Sequence, residues 1–176
     1  VIGMTGSGKS TTLAAMLDHR NKNSYGHILS IEDPVEFVHK HQNCIVSQRE
    51  VGVDTDCWQN AIKSALRQAP NVVLIGEIRD AEAMDYALQF AETGHLCVAT
   101  IHATNCIQAI ERIVNLFPTE KQHQVFMNLS LNLKAIVGQR LIKLEAGKGR
   151  APAMEILLNT STIADYIFKQ QLEPIR

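Results

Sequence analysis

The stretch Gly3-Met4-Thr5-Gly6-Ser7-Gly8-Lys9-Ser10 most constrains what this chain can become. It fits G-x-x-x-x-G-K-[ST], a loop whose glycines take positive φ and turn successive backbone N–H groups toward phosphate oxygens. The motif asks for a strand before it and a helix after it, whose N-terminal N–H groups and dipole add to the anion site. Val1-Ile2 reads as the tail of an apolar strand, and residues 11–20 read as the helix, with Leu13, Met16 and Leu17 on one side. Two residues are too few for a strand, so the expectation is a chain that enters its domain partway, with the N-terminal strand truncated. Gly3, Thr5, Gly6, Ser7, Gly8, Lys9, Ser10 and Thr11 are the expected nucleotide-binding residues. Lys9 would reach the β- and γ-phosphates of ATP, and the Ser10 hydroxyl would ligate Mg2+.

The 176 residues suffice for one α/β domain with a real core, and 45% hydrophobic against 20% charged is ordinary for a globular protein. A formal net charge of -1 leaves no electrostatic footprint for nucleic acid. Cys44, Cys57, Cys97 and Cys106 form no C-x-x-C pair, so neither a zinc site nor a disulfide framework is indicated, and a reducing cytosol fits best. Cys97 lies in an apolar run and is expected to pack as a small hydrophobe. No apolar run approaches the ~20 residues of a membrane span.

Strands and helices alternate along the chain. Strands are expected at 27–31, 45–48, 72–75 and 96–101, the last two as buried parallel strands. Asp54 looks like the N-cap of a helix carrying Trp58, Ala61, Ile62, Ala65, Leu66 and Ala69, ended by Pro70. Asp80 caps the next, with Met84, Ala87, Leu88 and Ala91 inward and Gly94 as its stop. A helix at about 105–116 follows. Thr119 to Gln122 has the form of a capping box before a helix carrying Val125, Phe126, Leu129 and Leu133. Residues 136–144 and 151–158 pair as late strands across a turn at 145–149, and 160–169 closes the chain as a helix. The expected fold class is α/β, a mostly parallel sheet with helices on both faces.

Ligands of open α/β sheets bind outside the carboxyl ends of the strands. Three expected strands end in polar residues there: 28–31 in Glu32 and Asp33, 72–75 in Gly76 and Glu77, and 96–101 in His102. Glu77 after four apolar residues is a Walker B pattern, suited to the Mg2+ shell or to polarising water, against the plainer reading of a solvated carboxylate. Glu32 is a candidate general base, against a simple turn at Asp33-Pro34. His102 is a candidate γ-phosphate sensor, against a structural histidine; His95 would sit at the other end of that strand, where a structural or interface role fits better. Arg79 and Arg112 are candidate arginine fingers, with Arg67 and Arg49 weaker and surface arginine the default for each. His39 and His41 have no evident third ligand and read as a solvated loop.

These residues resemble the type II/type IV secretion ATPases. Leu66-Arg67-Gln68-Ala69-Pro70-Asn71 and Val72-Val73-Leu74-Ile75-Gly76-Glu77-Ile78-Arg79-Asp80 look like that family's signature. Gly3 to Ser10 is similar to its Walker A, Ile31-Glu32-Asp33-Pro34-Val35-Glu36-Phe37 to its aspartate box, and Gly94-His95-Leu96 through His102 to its histidine box. Glu92-Thr93-Gly94-His95-Leu96, Arg112-Ile113-Val114-Asn115 and Phe117-Pro118 resemble the type IV pilus retraction branch, PilT/PilU, as does the lack of the four-cysteine zinc module of pilus-assembly and type II secretion ATPases. The family signature usually has Asp where this chain has Asn71, ahead of the strand, where little chemical effect is expected. The branch's AIRNLI motif corresponds here to Thr162-Ile163-Ala164-Asp165-Tyr166-Ile167, without its arginine; with Val53-Asp54-Thr55-Asp56 and Ser130-Leu131-Asn132-Leu133 this points to the accessory, PilU type.

The resemblance implies a RecA-like P-loop NTPase core over 1–176, acting as the C-terminal ATPase domain of a homohexamer, with an N-terminal PAS-like domain outside this stretch that donates arginines. It implies ATP and Mg2+ as cofactors, Glu32 as base, Glu77 at Mg2+ and water, and His95 and His102 as the histidine box. It implies a paralogous retraction ATPase and the inner-membrane pilus platform protein as partners, without zinc or nucleic acid, at the cytoplasmic side of the inner membrane. Alternative readings are a pilus-assembly or type II secretion ATPase lacking zinc, a nucleotide-binding scaffold that tunes a partner motor, and a nucleic-acid motor, which the near-neutral charge disfavours.

Overall fold

A computed structural model describes residues 1–145 and 149–175. The chain divides into two compact units, Ser10–Thr100 and the pair of segments Val1–Lys9 with Ile101–Arg176.

The Ser10–Thr100 unit is built on a four-stranded, wholly parallel sheet of order β2-β1-β3-β4, from β1 (Gly26–Glu32), β2 (Cys44–Glu50), β3 (Val72–Ile75) and β4 (Leu96–Ala99). The all-apolar β3 is buried at every position, as a central parallel strand covered on both faces requires. The outer β4 is only half-buried, with Leu96 45% exposed, because it pairs on one side alone in this sheet; the expectation of a fully buried strand there does not hold. Helix α1 (Lys9–Asn23) runs past its expected end and buries Leu13 and Leu17, while Met16 is exposed rather than inward. At its end the buried Asn21 accepts from the N–H groups of Gln42 and Cys44 and donates to the Lys40 carbonyl, tying the loop before β2 to the helix.

Helix α2 (Trp58–Leu66) starts at the uncapped Cys57, not at Asp54. The Asp54 carboxylate accepts from the Glu50 N–H at 2.9 Å, and Gly52 N–H bonds the Thr55 carbonyl at 2.7 Å, so 50–55 closes on itself before the helix begins. Helix α3 (Ala81–Glu92) is capped as expected, Asp80 accepting from the Ala83 N–H at 2.8 Å, and buries Met84, Ala87 and Leu88.

In the other unit, Ile2 is buried and lies strand-like, its N–H bonded to the Val137 carbonyl at 2.8 Å and its carbonyl accepting from Gln139 N–H at 3.0 Å. It bridges Gly138 and Ile101 in parallel, so the expected strand 96–101 ends as a ladder at Ala99 and Ile101 serves this second pairing. Helix α4 (Cys106–Asn115) buries Cys106, Ala109, Ile110, Ile113 and Val114, one face at helical spacing, behind the N-cap Asn105. Helix α5 (Thr119–Asn132) begins one residue before the expected box allows: Pro118 takes the cap position with extended backbone, Thr119 is helical, and the Gln122 amide turns to the Phe117 carbonyl. Strands β5 (Ala135–Lys143) and β6 (Arg150–Leu158) form an antiparallel pair, and α6 (Ser161–Phe168) follows the N-cap Thr160. Most of the turn expected at 145–149 lies outside the described residues.

Candidate functional site: a phosphate loop and a row of strand ends

Positive φ at Gly3 (152°), Gly6 (74°) and Gly8 (86°) lets residues 3–8 curl, with Ser7 N–H closing on the Met4 carbonyl at 3.1 Å. A Cβ at Gly3 would sit 2.5 Å from both the Gln139 carbonyl oxygen and Ser7 Oγ, so no larger residue fits there. The Lys9 ammonium donates to the Gly3 and Met4 carbonyls at 3.0 and 3.1 Å, folded back over its own loop. In this unit His102 is half-buried just past Ile101, and Arg112 is exposed in the last turn of α4.

In the Ser10–Thr100 unit the strands share one parallel sheet, and its register sets which residues stand at their carboxyl ends. Ile31 pairs Ile75, and Ile75 pairs Ala99, so the next residues, Glu32, Gly76 and Thr100, fall in one row across the carboxyl ends. Backbone and side chain lock that row: Gly76 N–H bonds the Ile31 carbonyl at 2.8 Å, the Thr100 hydroxyl donates to the Gly76 carbonyl at 2.5 Å, and Ile78 N–H bonds the Thr100 carbonyl at 3.0 Å. The three residues line one small cleft with Ser10, Phe37 and His39. Glu32 Oε1 accepts from the buried Ser30 hydroxyl at 2.7 Å and from the Gln48 amide at 3.3 Å, which fixes the carboxylate's orientation.

Glu77 and Arg79 form a pair: Glu77 Oε2 lies 2.7 Å from Arg79 Nε and 2.6 Å from Nη2. The Glu77 carboxylate, and Asp33 after it, raise the Arg79 guanidinium above its ordinary value and keep it charged. Glu77 is thus brought to Arg79, while Glu32 and Ser10 share the cleft. Arg49 and Arg67 are exposed, on β2 and at the end of α2. His95 packs edge-on to Phe90 at 5.7 Å, and its Nδ1 lies 2.9 Å from the Thr93 hydroxyl, at the end of α3. His41 Nδ1 accepts from the Val46 N–H. Among the described residues no group of three His, Cys, Asp or Glu side chains could hold a metal by itself, and the four cysteines are free.

Three polar partners escaped the sequence. Thr100 is one. Glu36 is another: its Oε1 accepts from the Ser10 hydroxyl at 3.0 Å. Gln139 is the third, buried on β5 with its amide donating to the Ser7 carbonyl at 2.7 Å. Glu36 and Thr100 stood in the quoted aspartate-box and histidine-box stretches; for Gln139 no local spacing could have flagged it. Mg2+ in nucleotide sites takes one or two protein oxygens and draws its other ligands from phosphates and water, and the hard-oxygen pair of Ser10 and Glu36 fits that demand.

Residues 1–169 match the family of the Type II/IV secretion system protein. The chain is 58% identical over 175 residues to the Type IV pilus ATPase PilU of Pseudomonas aeruginosa, covering 99% of this chain and 46% of that protein. It is 50% identical over 167 residues to the type IV pilus retraction ATPase PilT of the same organism, covering 95% of this chain and 48% of that one. The crystal structure of the pilus retraction motor PilT with bound ADP superposes with a TM-score of 0.95 at 45% identity, over 99% of this chain and 51% of that one. The chain spans about half the length of the curated relatives it matches.

Proposed function

The chain belongs to the type II/IV secretion system protein family and has the RecA-like P-loop fold, and from that premise we propose that it is the ATP-hydrolysing motor domain of a hexameric type IV pilus retraction ATPase. The carrying observation is the phosphate loop with Lys9 folded over it, in a chain 58% identical to a pilus ATPase. Residues 1–176 serve as the C-terminal ATPase domain of the longer protein. Its partners are five further copies, a paralogous retraction ATPase and the inner-membrane pilus platform, at the cytoplasmic side of that membrane. Among the described residues no helix is long and apolar enough to cross a membrane.

In this reading the Lys9 ammonium exchanges the Gly3 and Met4 carbonyls for β- and γ-phosphate oxygens. The N–H groups of Gly3, Thr5, Gly6, Gly8 and Thr11 complete the phosphate cradle, while the Ser7 N–H keeps the loop closed on the Met4 carbonyl. Where Mg2+ binds, the Ser10 hydroxyl and the Glu36 carboxylate would hold it, with Glu77 supporting it through water. Bound there, Mg2+ would neutralise negative charge on the triphosphate. Glu32, held by Ser30 and Gln48, orients the attacking water and accepts its proton. His102, Arg79 and Arg112 offset the charge that develops on the γ-phosphate.

Phosphate release by the full-length protein tests this. Turnover should fall at least about a hundredfold in Glu32→Gln with ATP binding kept, and both should be lost in Lys9→Ala. In cells, deletion should leave pili assembled but slow to retract; loss of assembly would overturn the retraction role. A second reading, an accessory scaffold that binds nucleotide and tunes a partner motor, draws on α6, where Thr162 to Ile167 lacks the arginine of the retraction-branch motif. Wild-type turnover no higher than that of the two variants would favour it.

A further inference from the structure

Strand β5 reads Ala-Ile-Val-Gly-Gln-Arg-Leu-Ile-Lys, and the polar residue at its centre, Gln139, is 5% exposed. A buried amide is costly unless its hydrogen bonds are made. Here the carboxamide nitrogen donates to the Ser7 carbonyl at 2.7 Å, 132 residues away in sequence. The same residue meets the loop three more times. Its backbone N–H bonds the Ile2 carbonyl at 3.0 Å, at the loop's entry. Its amide nitrogen would lie 2.8 Å from a Cβ at Gly8, and its carbonyl oxygen 2.5 Å from one at Gly3. Two of the loop's glycines are therefore glycines partly because Gln139 packs against them.

The contact with the Ser7 carbonyl has a directional consequence. The Ser7–Gly8 peptide is planar and trans, so its C=O and N–H point to opposite sides. Holding the Ser7 oxygen toward Gln139 turns the Gly8 N–H away from β5. Without that restraint the peptide can flip and present a carbonyl dipole where an anion must bind, and positive φ at Gly8 makes such a flip cheap. We propose that Gln139 is a positioning residue for phosphate binding, which fixes the Ser7–Gly8 peptide so that its N–H serves the anion. This rests on the nucleotide reading above.

Gln139→Glu in the full-length protein tests it, with a fluorescent ADP analogue as probe. A protonated carboxyl can still donate to the Ser7 carbonyl; an ionised one cannot, and it repels both that oxygen and the phosphates. The ratio of variant to wild-type affinity cancels the titration of the nucleotide itself. That ratio should be at least about tenfold below one near pH 8 and climb back toward one as pH falls to about 5. Gln139→Met, similar in volume and without a donor, should bind ADP at least about tenfold more weakly at every pH while its melting temperature falls by no more than a few degrees. A pH-flat ratio for the Glu variant, or wild-type affinity in Gln139→Met, would overturn the proposal. Failure of the wild type itself to bind ADP would overturn the nucleotide reading instead, and this inference with it.

Discussion

Thr100 shows how one hydroxyl organises the row of strand ends. It donates to the Gly76 carbonyl while its own carbonyl accepts from Ile78, so both ends of the residue hold the segment that carries Glu77. Thr100→Val keeps the shape and removes the donor; chemical denaturation should show a loss of about 1–2 kcal/mol, restored by Thr100→Ser. Glu32 was legible because a run of apolar residues ended on it, and register then placed it. Thr100 was not, since a threonine at a strand end carries no spacing signal, and its meaning depends on which strand lies next door. Two thiols give a pH prediction. Burial pushes Cys97 and Cys106 up to about 12, with Glu155 adding to the shift at Cys106. The folded thiols keep their protons where unfolded ones, near about 8.5, lose them. Their contribution to stability is full below that value and is lost as pH rises toward 12, so the denaturation midpoint should decline across that window and less steeply in Cys97→Ala.

Helix ends mark where local sequence rules held and where they met competition. Asp80 and Asn105 cap α3 and α4 with side-chain oxygens 2.8 Å from the N–H three residues on, and both were legible as caps or starts. Asp54 has the right chemistry too, but its carboxylate is taken by Glu50 N–H, so α2 starts later. Thr119 lost its expected cap role to Pro118, whose backbone was already extended. Two substitutions read these ends by thermal unfolding. Asp80→Ala should cost about 1 kcal/mol. Cys57→Ser gives α2 the cap oxygen it lacks and should add about 0.5–1 kcal/mol. The central strand β3 was recovered to the residue, because four consecutive branched or leucine side chains admit burial on both faces and little else. The outer β4 was read as deeper than it is, since an apolar run does not say whether a second strand will cover its flank.

For the whole molecule, the ring proposed above makes its own demand on Arg112, exposed in the last turn of α4. Should it act on a neighbour's nucleotide, Glu32→Gln and Arg112→Ala proteins, each slow alone, will recover ATP turnover when mixed, because some junctions then combine an intact Glu32 with an intact Arg112. No recovery would place Arg112 within its own subunit's site or outside catalysis. The class of fold was legible from alternating periodicities, but contacts that join distant parts were not. The bond from Gln139 to Ser7 spans 132 residues, and it sets a timetable for making the protein. A nascent chain emerges from its N-terminal side onward, so the phosphate loop leaves the ribosome before β5 and stays without its buttress until β5 has followed. Closing so long a loop is entropically slow. Nucleotide therefore meets a loop held by Gln139 only after β5 has been synthesised.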